Sequence, residues 1–170
     1  DRDLAERVAT ELNRWDIEID DSGGRPLELT PPGMFLRLLS EMVASQFAPV
    51  PVLAMCKHPL AAGGHDPAEF RRLTRVVEIS LIRGPRPAPG LSGLHALAEA
   101  AHTDRDSTLT TDIDAWLGAL ERTCGAFAAI MDGTESSLGA LLDAHMRCAE
   151  ALAATPDQPG AARLWANDAG

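Results

Sequence analysis

Carboxylates, imidazoles, thiols and guanidinium groups are the side chains here that can do chemistry, and their spacing decides which chemistry is open. Asp16, Glu18, Asp20 and Asp21 form the densest acidic group. Paired carboxylates can hold Mg²⁺ for phosphodiester cleavage, but no calcium-loop pattern and no neighbouring lysine accompanies them. They read as the solvated edge of a strand and its turn. Asp104, Asp106, Asp112 and Asp114 read as a polar loop running into a helix start, where negative charge complements the helix dipole. The five histidines, His58, His65, His95, His102 and His145, show no ligand-like spacing. His58 and His65 flank a Pro/Gly loop, and His145 shares a face with Leu141 and Leu152, as a packing residue would. Ser22, Ser40 and Ser92 lack any nucleophile elbow. A phosphate-cradling loop ending in Gly-Lys-Ser/Thr is absent, as is the dinucleotide pattern Gly-x-Gly-x-x-Gly. Cys56, Cys124 and Cys148 are odd in number and far apart, which suits neither a disulfide framework nor a metal site. Cys124 and Cys148 fall on apolar helical stripes and are expected to be buried and inert. No catalytic, cofactor-binding or metal-binding residue is expected in the chain.

The guanidinium groups are different. Arg71, Arg72, Arg75, Arg83 and Arg86 fall close together in the sequence, with Arg71, Arg72 and Arg75 expected on one side of a helix whose Phe70, Leu73 and Val77 point inward. The plain reading is a solvated face or a salt-bridged contact with another domain. The reading that carries function is contact with phosphates, which arginine forks suit.

Bulk composition limits that second reading. The net charge is −10, whereas a protein whose task is gripping a phosphate backbone presents a strongly basic surface. Any nucleic-acid contact is therefore expected to be local and weak in isolation. Aromatics make up only 4% and tyrosine is missing, so the core must be aliphatic, which suits packed helices. No run is long and apolar enough to span a membrane. The charged first residues lack a secretory pattern, and helical periodicity begins at once without an initiator methionine. A piece of a longer, cytoplasmic protein is the expectation.

These groups must be positioned mainly by helices. Leu4, Val8, Leu12 and Trp15 give a first stripe. The period-two run Asp16-Ile17-Glu18-Ile19-Asp20 predicts a short strand, ended by Asp21-Ser22-Gly23-Gly24. Thr30-Pro31-Pro32 starts a second helix bearing Phe35, Leu38, Leu39, Met42 and Val43. A short helix from about Val50 to Lys57 follows. Asp66-Pro67-Ala68-Glu69 caps the arginine-bearing helix, which extends to Leu81. Gly84-Pro85-Arg86-Pro87-Ala88-Pro89-Gly90 must be an extended connector. Helices are then expected over 91–101, 112–131 and 137–153. The last carries Leu138, Leu141, Leu142, His145, Ala149 and Leu152 on one face and pairs antiparallel with its predecessor across Gly133. A short terminal helix begins near Ala161.

Several contiguous stretches resemble one family. They include Asp1-Arg2-Asp3-Leu4-Ala5, Asp20-Asp21-Ser22-Gly23-Gly24-Arg25-Pro26-Leu27 and Thr30-Pro31-Pro32-Gly33-Met34-Phe35-Leu36-Arg37-Leu38-Leu39. Phe47-Ala48-Pro49-Val50-Pro51-Val52-Leu53, Lys57-His58-Pro59-Leu60-Ala61, Arg83-Gly84-Pro85-Arg86-Pro87-Ala88-Pro89-Gly90 and Arg163-Leu164-Trp165-Ala166 follow in order. Over nearly the whole chain the sequence resembles the AddB family, the B subunits of bacterial AddAB helicase–nucleases, in its alphaproteobacterial branch.

The resemblance implies a mainly α, helical insertion-type domain of a superfamily 1 helicase-like protein. Residues 1–29 would be the end of a helicase-like α/β segment, and residues 30–170 the helical 2B-like domain. It further implies DNA double-strand break repair as the setting, the A subunit as partner, and single- and double-stranded DNA within the complex. The family's iron–sulfur cluster, Mg²⁺ and nuclease residues would lie outside this chain, with ATP bound by the complex. The expected role is non-catalytic positioning of single-stranded DNA and neighbouring domains. The alternative is a module that contacts only the A subunit.

Overall fold

Prolines and short polar side chains set the helix starts, and a computed structural model of the chain, describing residues 2–17, 19, 26–102, 107–133 and 135–166, shows each at work. Among these residues the helices are α1 (Arg2–Asn13), α2 (Pro31–Ala44), α3 (Pro49–Cys56), α4 (Pro67–Val77), α5 (Gly90–His102), α6 (Ser107–Asp132), α7 (Leu138–Ala153) and α8 (Gly160–Leu164). The chain is mainly helical, and no strand occurs among the described residues.

Thr30 is extended, and its hydroxyl accepts from the Gly33 amide at 3.2 Å while Pro31 and Pro32 fill positions that need no donor. Glycine is required at position 33, because a Cβ there would collide with the Leu27 carbonyl of the preceding 3-10 turn, Leu27–Leu29. Asp66 caps α4 by accepting from the amides of Ala68 at 2.8 Å and Glu69 at 3.3 Å. The Ser137 hydroxyl accepts from Ala140 at the start of α7.

The core is built around α6, which buries Ile113, Trp116, Leu117, Leu120, Cys124 and Phe127. Helices α2, α4, α5 and α7 pack against it. Trp116 is fully buried, and its indole N–H donates to the Thr74 hydroxyl of α4 at 3.1 Å, so neither polar group is left unpaired. Helices α6 and α7 run antiparallel as expected: Cys124 meets Cys148 while Phe127 stacks on His145, three residues on in one helix and three back in the other. The last turn of α7 is closed from outside. Amides of Ala62 and Gly63 donate to the Leu152 carbonyl, Gly64 donates to Ala154, and Arg163 of α8 donates to the carbonyls of Leu60 and Ala153. The donors to Leu152, Ala153 and Ala154 satisfy carbonyls that a helix end leaves unpaired.

Four expectations need correction. The alternating run after α1 does not begin as a strand. Asp16 takes a left-handed conformation (φ 56°), its amide donates to Asn13, and the Ile17 amide reaches back to Leu12 at 3.1 Å. That is a Schellman closure of α1, so the chain turns where alternation predicted extension. Ile19 is likewise not in a strand, and Glu18 and residues 20–25 lie outside the described residues, as do 103–106 with Asp104 and Asp106. The stripe of α1 is not buried: Leu4 is 60% and Trp15 77% exposed, and no other element packs broadly on this helix. The start of α7 is also open, with Leu138 71% exposed and Leu142 half exposed. Finally, α6 starts at Ser107, so Asp112 sits in its second turn rather than at its start.

Beyond α4 the backbone widens into a π turn over Glu78–Ile82, where the Arg83 amide donates to the Glu78 carbonyl at 3.0 Å. Leu81 and Ile82 remain buried through it.

Candidate nucleic-acid interface

On an α-helix, residues four and seven apart share a face while adjacent ones diverge by about 100°. Arg71, Arg75 and Glu78 therefore fall on one face of α4 and its extension, and Arg72 on another. The side chains obey this. Arg71 and Arg75 are exposed and make no ion pair among the described residues; with Cys56, Lys57, Thr74 and Glu78 they line a shallow depression of about 270 Å³. Lys57 is the C-cap of α3, where a cation complements the negative end of the helix.

Arg72 turns towards α6 instead. Its guanidinium donates two hydrogen bonds of 2.7 Å to the Asp112 carboxylate and two more, of 2.9 and 2.7 Å, to Glu69. These bonds hold the carboxyls of Asp112 and Glu69 below their usual range and raise the guanidinium further. Such a doubly forked ion pair clamps α4 to α6 and uses four of the five guanidinium N–H groups of Arg72.

Arg83 is held differently again. Glu78, with a side chain only 12% exposed, accepts from Lys57 at 2.7 Å and Arg83 at 3.0 Å, and these two bonds lower its carboxyl below the usual range. Arg86 lies apart in the proline connector, beside a second depression of about 160 Å³ formed with residues 45–49 and 87–89. The five arginines thus divide. Arg71 and Arg75 share a surface with Lys57 and, through Glu78, with Arg83, whereas Arg72 and Arg86 do not line that depression.

The expectation that Arg71, Arg72 and Arg75 form one side is therefore corrected. Helical phase points Arg72 at Asp112. Lys57 and Glu78 were missed as members of the surface. Glu78 was open to detection at seven residues from Arg71; Lys57 comes from another helix, and only folding brings it there.

The remaining candidates are dispersed. His58 is buried edge-on against Phe35 and accepts from the Leu60 amide through Nδ1. His145 stacks on Phe127 at 5.1 Å, with Nε2 3.1 Å from the Leu36 carbonyl and 3.2 Å from Ser40 Oγ. Because the Ser40 hydroxyl donates to that same carbonyl, Nε2 is the protonated ring nitrogen and donates to both oxygens. Burial holds His58 and His145 below the ordinary imidazole value. His65 stacks on Phe70, and His95 Nε2 lies 3.4 Å from Glu121. The side chain of His102, and Ser22, lie outside the described residues.

All three cysteines are free and buried. Burial raises the Cys56 thiol, and the Cys124 sulfur together with burial raises Cys148, while the hydrogen bond with Cys148 lowers Cys124. Among the described residues no three His, Cys, Asp or Glu side chains gather as a metal site. Among the described residues no helix is long and apolar enough to cross a membrane.

Comparison with protein-family models, with curated proteins and with solved structures finds no match to this chain.

Proposed function

We propose that the chain is a non-catalytic helical domain of a helicase–nuclease subunit in double-strand break repair, and that it positions single-stranded DNA. The observation that carries this reading is the pair of exposed, unpaired arginines, Arg71 and Arg75, set one turn apart beside Lys57 on an otherwise acidic chain. Flexible cations of this kind contact phosphates without reading sequence. The resemblance to the AddB family supplies the setting: a superfamily 1 helicase-like parent, a cytoplasmic location, the A subunit as partner, and ATP, Mg²⁺ and an iron–sulfur cluster bound elsewhere in the complex. A division near residue 30 is supported by burial, which begins at Pro32, while no residue between Leu4 and Ile19 is buried where its side chain is described.

One observation favours the alternative, a module that contacts only protein. Leu4, Val8, Trp15, Ile17, Leu27 and Leu29 are all exposed, apolar side chains that a protein partner would cover.

The test is crosslinking of this chain to single-stranded DNA within the full complex. Charge reversal of Arg71 and Arg75 to Glu should abolish most of it. Unchanged crosslinking would overturn the reading, and loss of A-subunit association without loss of DNA contact would favour the alternative.

A further inference from the structure

We propose that the depression between the end of α3 and the outer face of α4 receives one phosphodiester of a single strand, gripped by Arg71, Arg75 and Lys57. This rests on the DNA-positioning reading and assigns it a place and a stoichiometry.

Four cations, Lys57, Arg71, Arg75 and Arg83, border or adjoin the surface against one carboxylate, Glu78. Glu78 is occupied with Lys57 and Arg83, leaving both guanidinium groups on α4 uncompensated among the described residues. Beneath them the floor is neutral: the Cys56 thiol is buried, and the Thr74 hydroxyl is engaged with Trp116. Anion binding is therefore the chemistry on offer. The shape of the anion follows from the number of donors. One arginine fork already satisfies the two coplanar oxygens of a carboxylate. Donors arriving from two helices suit a tetrahedral group whose oxygens face different ways. The depression is shallow and its arginines stay solvated, so an isolated ion gains little there. A phosphate that belongs to a strand, tethered by its neighbours, gains more. Arg72 takes no part, because Asp112 and Glu69 hold it. Base edges have no polar partner on this surface beyond the same charged groups, so the contact is indifferent to sequence.

The experiment measures binding of a fluorescein-labelled oligo-dT to the chain at low salt, alongside the same oligomer with a neutral methylphosphonate backbone and a poly-glutamate peptide. R71Q, R75Q and K57Q are compared with R147Q, which makes the same change of charge on α7, and far-UV melting checks that each variant is folded. The expected result is binding of oligo-dT but not of the neutral oligomer. Each of the three site variants should weaken it roughly tenfold, as befits loss of a charge-assisted contact, and R71Q/R75Q should lower the salt slope by about 0.7, the value for one phosphate. R147Q should match the parent chain. If oligo-dT binds and the site variants bind equally well, the assigned site is wrong while the DNA-positioning reading survives. If only poly-glutamate binds, and the site variants abolish it, the surface meets an acidic protein segment and both readings fail. Binding of neither probe also overturns both.

Discussion

Two helices of this chain end in the same way and differ in everything that follows. At the end of α1, Asp16 is left-handed and the Ile17 amide bonds back to Leu12; at the end of α2, Gln46 is left-handed (φ 52°) and the Phe47 amide bonds back to Met42 at 2.9 Å. Each is a Schellman closure without glycine, and each places an apolar residue just after the turn. In α2 that residue enters the core: Phe47 and Met42 are buried. In α1 it does not: Ile17 is half exposed, and Leu4, Val8 and Trp15 of the stripe behind it are exposed. Local rules close a helix, but only a partner surface converts an apolar stripe into stability. For α2 that partner is α3, α6 and α7; α1 has no broad contact among the described residues.

The contrast can be broken most directly by removing the apolar residue after each turn. Phe47→Ala should cost about 3–5 kcal/mol in denaturant unfolding, the range for a buried phenylalanine, whereas Ile17→Ala should fall within about 0.5 kcal/mol, as surface changes do. Equal losses would mean that α1 is packed after all.

A smaller effect sharpens the comparison by leaving the side-chain contacts of the core alone. Glycine at the left-handed position relieves a strain of roughly 1–2 kcal/mol and gives back some of it as chain entropy. Gln46→Gly should therefore raise stability by up to about 1 kcal/mol. Asp16→Gly should leave the unfolding midpoint unmoved, because α1 lies outside the cooperative unit. A shift of the midpoint by Asp16→Gly would place α1 within it.

The smallest effect is a dependence on pH that should belong to the bundle alone. His58 and His145 are held below their ordinary value of 6.5 by burial, so the unfolded chain takes up protons first. Above pH 6.5 both states are neutral and the pair contributes nothing. As pH falls below 6.5 stability declines, until the folded-state imidazoles are themselves protonated. Melting temperature should fall between pH 7.5 and 5. The fall should be smaller in His145→Gln, and a flat profile in the parent chain would contradict the burial argument.

The sequence made the punctuation legible: Thr30, Asp66 and the proline connector each did what their chemistry predicts, and the long apolar repeat from Ile113 to Phe127 became the central helix. What it hid were matters of phase and partnership. Alternation after Trp15 imitated a strand because aspartate, which tolerates left-handed backbone, stood where a helix was closing. Arginines close in sequence suggest one patch, although helical phase sends Arg72 to Asp112, forty positions further along the chain. Lys57 joined the basic surface from a separate helix, and no periodicity within α4 announces it.

The π turn after α4 carries a consequence for how this surface can vary. An ordinary helix advances by a fixed angle per residue, and the wide turn uses one extra residue to complete its circuit. Everything after Ile82 is thereby displaced one place around the axis. A one-residue deletion between Glu78 and Ile82 would be absorbed by tightening into regular helix, which would bring Arg83 to four places from Glu78 and keep the two one turn apart. The wide turn therefore takes up one residue of length within this segment, so related chains shorter by that residue would present the charges around Glu78 in the same arrangement.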